Sequence, residues 1–171
     1  MDIFIEYMVK RKKKATDYVK IFGTLILGLA LIFVVSVVFA MVPYITSLVL
    51  LAIAGVIYLM YYFITAVNVE YEYILTNMEI DIDAIINTKR RKRLTTVNLR
   101  SAEYFGKKSD GEFKRYSEDK GLKKIYACRD ANDPETCYIV YFENDDKKML
   151  LFDPNEKILE KVKLYIPKRS F

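Results

Sequence analysis

Two long uncharged apolar runs occupy residues 21–41 and 44–67. About 20 consecutive apolar residues are enough for a helix to cross the hydrocarbon core of a bilayer. Pro43 lies in the short gap between the runs, where neither helix needs a backbone N–H donor. The pattern therefore predicts two membrane-spanning helices that form an antiparallel hairpin over residues 21–67.

Basic residues flank this hairpin on one side only. Residues 1–20 contain six Lys or Arg against three Asp or Glu, whereas the connection at residues 41–43 carries no charge. Positive charge beside short loops marks the cytoplasmic side of a membrane helix. Both termini are therefore expected in the cytoplasm, with the chain in the cell membrane as a multi-pass protein. A signal peptide cleaved after Ala40 is less favoured, because the first run is too long and a second run follows it.

Residues 1–20 combine alternating apolar positions with a basic block formed by Lys10, Arg11, Lys12, Lys13 and Lys14. One interpretation is a short amphipathic helix lying on the membrane surface. The other is a simple topology signal, in which only the positive charge matters. We treat this stretch as a separate basic N-terminal segment.

Beyond the hairpin, residues 68–171 change from continuous apolar runs to an alternating pattern, which is typical of strands with one buried face. Asn77 lies between the first two such stretches and predicts a hairpin turn. Residues 107–121 are strongly polar and contain Asp110-Gly111, so they are expected to form a mobile loop. The predicted strands cover residues 69–75, 78–84, 94–99, 102–105, 123–129, 136–143 and 147–152.

The last part of the chain changes to helical periodicity. Ile158, Leu159, Val162, Tyr165 and Ile166 recur at helical spacing after Asp153-Pro154. A proline near the first turn is a common signal for the start of a helix. One amphipathic helix is expected to close the domain, with Pro167 ending it.

The order of these elements, seven short antiparallel strands and a closing helix, resembles a pleckstrin-homology-like (PH-like) barrel. The stretch Tyr73-Ile74-Leu75-Thr76-Asn77, a third strand entered through Lys and Arg, and the closing FDPNEKILEKVKLYIP are similar to bacterial PH-like domains attached to paired membrane spans. The resemblance implies a membrane α-helical hairpin followed by a mostly antiparallel PH-like β-barrel with a C-terminal capping helix. Asn87 stands where this family often has a glycine.

Composition excludes several classes of site. The chain has no histidine and only two cysteines, Cys128 and Cys137, so common zinc sites and histidine-based catalysis cannot be built. Glu79, Asp81 and Asp83 alternate along one strand and are expected to form a solvated polar face. The modest net charge of +5 does not indicate a nucleic-acid-binding domain. We expect no enzyme activity, no cofactor and no metal.

A run of five basic residues follows the second predicted strand. If that strand returns toward the membrane, the run lies near anionic headgroups, and each nearby Lys or Arg contributes about 1 kcal/mol of attraction. The alternative is a solvated strand end whose charges serve solubility. The predicted lipid-surface residues are Lys89, Arg90, Arg91, Lys92 and Arg93, together with Lys10, Arg11, Lys12, Lys13 and Lys14.

The function that these features favour is a non-enzymatic, membrane-anchored binding or scaffold module, with membrane lipids and a membrane protein or second copy as possible partners. An accessory subunit of a membrane transport or secretion complex is the alternative. An enzyme with a cysteine or carboxylate centre is less favoured. Phosphoinositide-binding PH domains of eukaryotes carry basic residues between their first two strands. Here that loop is expected at residues 76–78, which are uncharged.

Overall fold

The computed structural model describes residues 3–144 and 146–166 of the chain. Two compact units make up the structure. One contains residues 13–68, and the other combines residues 1–12 with residues 69–171. Pro167 and the tail after it lie outside the described residues.

The unit of residues 13–68 consists of two apolar helices. Helix α1 (Ala15–Met41) is about 40 Å long at the usual rise per residue. It is followed by a 3₁₀ segment (Pro43–Leu48) and by helix α2 (Val49–Thr65), against which α1 packs. Among the described residues, α1 is the one helix that is long and apolar enough to cross a membrane. The first predicted span is thus confirmed as a helix, whereas the second span stays a prediction because α2 has only 17 residues.

A four-stranded antiparallel sheet begins the other unit. Its strands are β1 (Phe4–Lys10), β2 (Val69–Thr76), β3 (Glu79–Ile86) and β4 (Arg90–Asn98), hydrogen-bonded in that order. Asn77 takes a positive φ of 54° in the turn between β2 and β3. Asn87 and Thr88 both take positive φ between β3 and β4. Asparagine tolerates this conformation better than most residues, which explains how Asn87 serves in place of glycine.

The strand β1 corrects the expectation for the N-terminus. Residues 4–10 are not a helix on the membrane surface, because every residue of β1 pairs with β2, from Phe4 opposite Thr76 to Lys10 opposite Glu70. The reason is a period of two: Ile3, Ile5, Tyr7 and Val9 all pack against the core. Residues 1–12 of the N-terminal segment therefore belong to the same unit as residues 69–171, whereas residues 13–20 belong to the other unit.

The second sheet contains β5 (Ala102–Lys107), β6 (Lys123–Ala127), β7 (Cys137–Glu143) and β8 (Asp146–Phe152), in the order β5-β7-β8-β6. Strand β6 runs parallel to β8, and the other pairs are antiparallel. Helix α4 (Glu156–Tyr165) follows, and the Asn155 side chain accepts a hydrogen bond from the Ile158 N–H at 2.9 Å as its N-cap. The seven predicted strands and the closing helix occur in the predicted order, as β2 to β8 and α4, but β1 is an additional strand and the parallel pairing of β6 with β8 corrects the expectation that all strands are antiparallel.

One hydrophobic core joins both sheets and α4. Tyr73, Ile82, Leu150, Phe152 and Val162 are all inaccessible to solvent within it. The Tyr73 hydroxyl donates to the Ala127 carbonyl and accepts the Asp153 N–H at 3.2 Å, so its polar end is satisfied inside the core.

A helix replaces the predicted mobile loop. Helix α3 (Gly111–Glu118) lies within residues 107–121, and its Phe113 and Tyr116 pack beside Tyr104 and Tyr138. Two aromatic rings three positions apart give this short helix one apolar edge. The expectation of a loop was wrong because packing against the sheet, and not the local sequence, stabilises the helix.

Candidate functional site

One end of the first sheet is where the chain connects to residues 13–68. The Arg11 N–H donates to the Val69 carbonyl at 3.0 Å, Val69 lies opposite Ile86, and Ile86 lies opposite Arg90. This row crosses all four strands and is about 14 Å wide at the usual spacing between strands. The chain therefore leaves the sheet just after Arg11 and re-enters it at Val69, at neighbouring positions.

Several of the predicted lipid-surface residues lie at this end. Lys10 Nζ is 3.9 Å from Glu70 Oε1, and Lys12 Nζ is 3.3 Å from Asp130 Oδ2. Both lysine side chains are more than two-thirds exposed, so these ion pairs hold them only weakly. Lys13 and Lys14 belong to the unit of residues 13–68, where the Lys14 N–H donates to the Asp17 carboxylate at 2.9 Å. We call Lys10, Arg11, Lys12, Lys89, Arg90 and Lys92 the basic end of the sheet.

The run from Lys89 to Arg93 is divided by strand alternation. The third strand was expected to start at Leu94, but β4 starts at Arg90, so four of the five basic residues lie within a strand. Lys92 lies opposite Ala84, whose side chain faces the core, whereas Arg91 and Arg93 lie on the outer face of the sheet. All five residues are exposed, but they point in two directions.

Arg91 and Arg93 are engaged by carboxylates on that outer face. Arg91 forms ion pairs with Glu72 and, through Nε at 3.7 Å, with Asp83. Arg93 binds Asp83 and places Nη1 2.6 Å from Asp81 Oδ1. The hydrogen bond to Asp83 raises the pKa of Arg93. These two arginines therefore neutralise charge within the sheet, which the sequence did not reveal.

Glu72 and Asp83 lie directly opposite each other on β2 and β3, and each side chain is only 3% exposed. The expectation of a solvated face at Glu79, Asp81 and Asp83 is therefore wrong for Asp83. Because Arg91 and Arg93 lie across these carboxylates, water is displaced by guanidinium groups and their alkyl stems. Burial raises the pKa of Glu72, and the neighbouring Arg91 partly offsets this effect.

The presence of β1 also changes which loop is compared with the basic loop of phosphoinositide-binding PH domains. The first two strands of the sheet are β1 and β2, so the connection between them is residues 11–68 and not residues 76–78. That connection contains Arg11, Lys12, Lys13 and Lys14. The uncharged turn at residues 76–78 therefore gives no reason to exclude anionic headgroups as ligands.

The described part of the chain gives little support for a metal site or for a reactive cysteine. Residues 3–144 and 146–166 contain no group of three or more Cys, Asp or Glu side chains arranged to hold a metal ion. Cys128 and Cys137 are both buried, and burial raises the pKa of the Cys137 thiol to about 12. A thiol with such a pKa is almost wholly protonated near neutral pH and is a poor nucleophile.

Sequence reasoning missed Glu6 and Glu72 as members of the charged face. A signal was present, since Glu70 and Glu72 alternate with tyrosines just as the acidic residues of the next strand alternate with isoleucines. Two such strands in a hairpin bring acidic residues into the same rows. Arg91 and Arg93 from the basic run that follows then lie on the same face, on β4.

Comparison with known proteins gave one match, to a protein-family model. A search of curated proteins and of solved structures found no match. A protein-family model covers residues 1–171, which includes β1, both helices of residues 13–68 and all of the second sheet. The chain therefore belongs to the family described as Bacterial PH-like domain (DUF6106).

Proposed function

We propose that this chain is a non-enzymatic, membrane-anchored binding or scaffold module that presents its PH-like domain at the cytoplasmic face of the membrane. The observation that carries the proposal is the 3.0 Å hydrogen bond between the Arg11 N–H and the Val69 carbonyl. A folded domain lies on one side of a bilayer. A chain that leaves this domain after Arg11 and returns at Val69 must therefore cross the membrane an even number of times.

The lengths of the helices support two crossings. Helix α1 exceeds the roughly 30 Å of the hydrocarbon core. The 3₁₀ segment (Pro43–Leu48) and α2 have a combined length of about 37 Å, at the usual rises of the two helix types. Although α2 alone is short, residues 43–65 together are long enough to cross the hydrocarbon core a second time.

The orientation follows from charge. Lys10 to Lys14 and Lys20 precede or begin the first crossing, and residues 41–43 between the crossings carry no charge. This asymmetry favours a cytoplasmic domain and two cytoplasmic termini. The basic end of the sheet is then the end at which the chain continues into the apolar helices, and anionic lipids are its proposed partners.

Topology is tested with cleavable tags on both termini of the full chain in intact bacteria. We expect added protease to leave both tags intact in whole cells and to remove both in inverted membrane vesicles. A tag placed between residues 42 and 43 is the control with the opposite expectation. Removal of either terminal tag in whole cells would contradict the proposal.

Lipid contact is tested by trypsin digestion of the full chain in nanodiscs. Anionic lipid should slow cleavage after Lys89 and Lys92 relative to zwitterionic lipid, and high salt should remove the difference. Cleavage after the exposed Lys120, which follows α3, is the internal control and should not change. Equal rates at Lys89 in both lipids would reject the contact. A second membrane protein that co-purifies in stoichiometric amounts would instead favour an accessory subunit.

A further inference from the structure

Strand β1 forms one edge of the first sheet. Its odd-numbered residues direct their N–H and C=O groups toward β2, as the bonds from Arg11 to Val69 and from Asn77 to Ile3 show at the two ends of the strand. Backbone groups alternate in direction along an antiparallel strand, so the even-numbered residues direct theirs away from the sheet. In the described ranges, no backbone–backbone hydrogen bond from outside the sheet reaches residues 4–10. This edge is therefore open to pairing with another strand.

The open part of the edge has two defined ends. Beyond residue 10 the edge is closed, because the Lys12 N–H donates to the Arg129 carbonyl at 2.8 Å. At the other end a groove of about 520 Å³ lies beside Phe4 and Glu6. A partner strand can therefore lie along residues 4–10, over a length of about 20 Å.

The side chains along this edge have a self-complementary pattern. Glu6, Met8 and Lys10 share one face of β1, in the order acidic, apolar and basic, and all three are exposed. Two copies of this strand, paired antiparallel with Met8 opposite the partner's Met8, place each Glu6 opposite the partner's Lys10. A partner moved by two residues in either direction places Met8 opposite a charged residue and separates Glu6 from the partner's Lys10.

We propose that β1 is an interface between two copies of this chain, which pair their edge strands antiparallel about Met8 and join their first sheets into one sheet of eight strands. Residues 6, 8 and 10 of each copy then exchange about six backbone hydrogen bonds. The result is a closed two-fold dimer, in which both copies contribute the same residues. The inference goes beyond the proposed function, because it does not require contact with lipid.

The closed and open parts of the edge fit each other in this arrangement. Phe4 lies opposite the partner's Lys12, so the groove beside Phe4 faces the segment at the partner's Arg129 that closes the partner's edge. Arg11 is three residues from the two-fold axis, so the points where the two chains leave their sheets are about 20 Å apart. Since a helix is about 10 Å wide, both chains can enter one bilayer.

The membrane matters for the strength of this contact. A few backbone hydrogen bonds and two exposed ion pairs associate only weakly in dilute solution. Confinement of two copies to one bilayer raises their effective concentration without any new contact. The dimer is therefore expected for the full chain in its membrane and not for a free domain in dilute solution.

Disulfide formation in bacterial membranes tests the register on the full chain. In Met8→Cys the two thiols face each other across the two-fold axis, with about 5.5 Å between their Cα atoms, which suits a disulfide. Copper phenanthroline with dissolved oxygen accepts the electrons and should convert most of this variant to a crosslinked dimer. Phe4→Cys places a similarly exposed thiol on the same face but about 26 Å from its copy, so it should stay monomeric. Cys128 and Cys137 are buried and should not react.

Exchange of charge tests the pairing itself. On the Met8→Cys background, Glu6→Lys and Lys10→Glu should each crosslink to themselves several-fold less, because like charges face each other in both pairs. When the two variants carry different tags and are expressed together, they should crosslink to each other as well as Met8→Cys does alone. In that mixed dimer each lysine faces a glutamate. Protection of β7 from hydrogen exchange reports whether each variant is folded.

Three results would overturn the interface. One is equal crosslinking of Met8→Cys and Phe4→Cys, or crosslinking of neither. Another is a mixed pair of charge variants that crosslinks no better than each variant alone. The third is a disulfide between Met8→Cys and a different protein in place of the dimer, which would assign the edge to another occupant.

Discussion

At the scale of single residues, the basic run of residues 89–93 shows that neighbouring cations have two different roles. Arg91 and Arg93 contact buried carboxylates, whereas Lys92 forms no ion pair with any residue in the described ranges. A buried carboxylate that loses its cation keeps the cost of desolvation without the compensating attraction. Loss of charge should therefore destabilise the fold at Arg91 and have little effect at the neighbouring Lys92.

Arg91→Met keeps an apolar stem over the sheet but removes the cation from Glu72 and Asp83. We expect the free energy of unfolding of the full chain to fall by about 1–3 kcal/mol at neutral pH, because Arg91 itself is half exposed. Lys92→Met is the matched control and should change it by less than about 0.5 kcal/mol. Urea unfolding in micelles, followed by the tyrosine signal in near-UV circular dichroism, measures both. Equal stability of the two variants would show that Arg91 is not structural.

The basic run could be found in the sequence, but its division could not. Which of the five residues meets a carboxylate depends on the register of β4 against β3, and that register shifts by one residue between Ile82 and Asp83. A shift of one residue reverses which face a side chain occupies. Since the shift itself is a property of the paired strands, counting positions along the chain could not locate it.

At the scale of elements, predictability followed the strength of the local pattern. Helix α4 was predicted because its apolar positions repeat at helical spacing and Asp153-Pro154 marks its start; the structure adds Asn155 as its N-cap. Helix α3 was missed because it has eight residues and only Phe113 and Tyr116 face the sheet. Strand β1 was missed because its period of two is followed directly by a basic block, which suggested a membrane-surface segment. Its partner strand lies more than fifty residues away along the chain.

Val162→Asp tests whether α4 is an integral part of the core. Val162 is fully buried in the core that joins both sheets, so an unpaired carboxylate at this position should cost more than about 3 kcal/mol and abolish cooperative unfolding of the PH-like domain. Leu164→Asp introduces the same charge two residues later, where the side chain is 69% exposed, and should be nearly neutral. Thermal unfolding monitored by circular dichroism separates the two variants. An unchanged transition in Val162→Asp would mean that α4 does not dock.

At the scale of the whole molecule, the apolar helices are an insertion between the first two strands of a sheet. The chain leaves β1 and returns to β2 at positions joined by a backbone hydrogen bond, so residues 1–12 and 69–171 form one unit in spite of the interruption. The boundary predicted at residue 68 therefore divides a sheet, because a fragment of residues 68–171 lacks β1. Such a fragment leaves the edge of β2 unpaired, and unpaired edges promote aggregation.

Replacing residues 13–68 by a four-residue Gly/Ser linker should give a soluble, monomeric domain with a single unfolding transition, because Arg11 and Val69 are already adjacent. A flexible linker of about 60 residues at the same place should lower the free energy of unfolding by about 2 kcal/mol, since closing a longer loop costs more entropy. Residues 69–171 alone should be the least stable of the three and should associate. Size-exclusion chromatography and urea unfolding compare them. If residues 69–171 alone are monomeric and as stable as the short-linker protein, β1 is dispensable, and the argument for an even number of membrane crossings loses its basis.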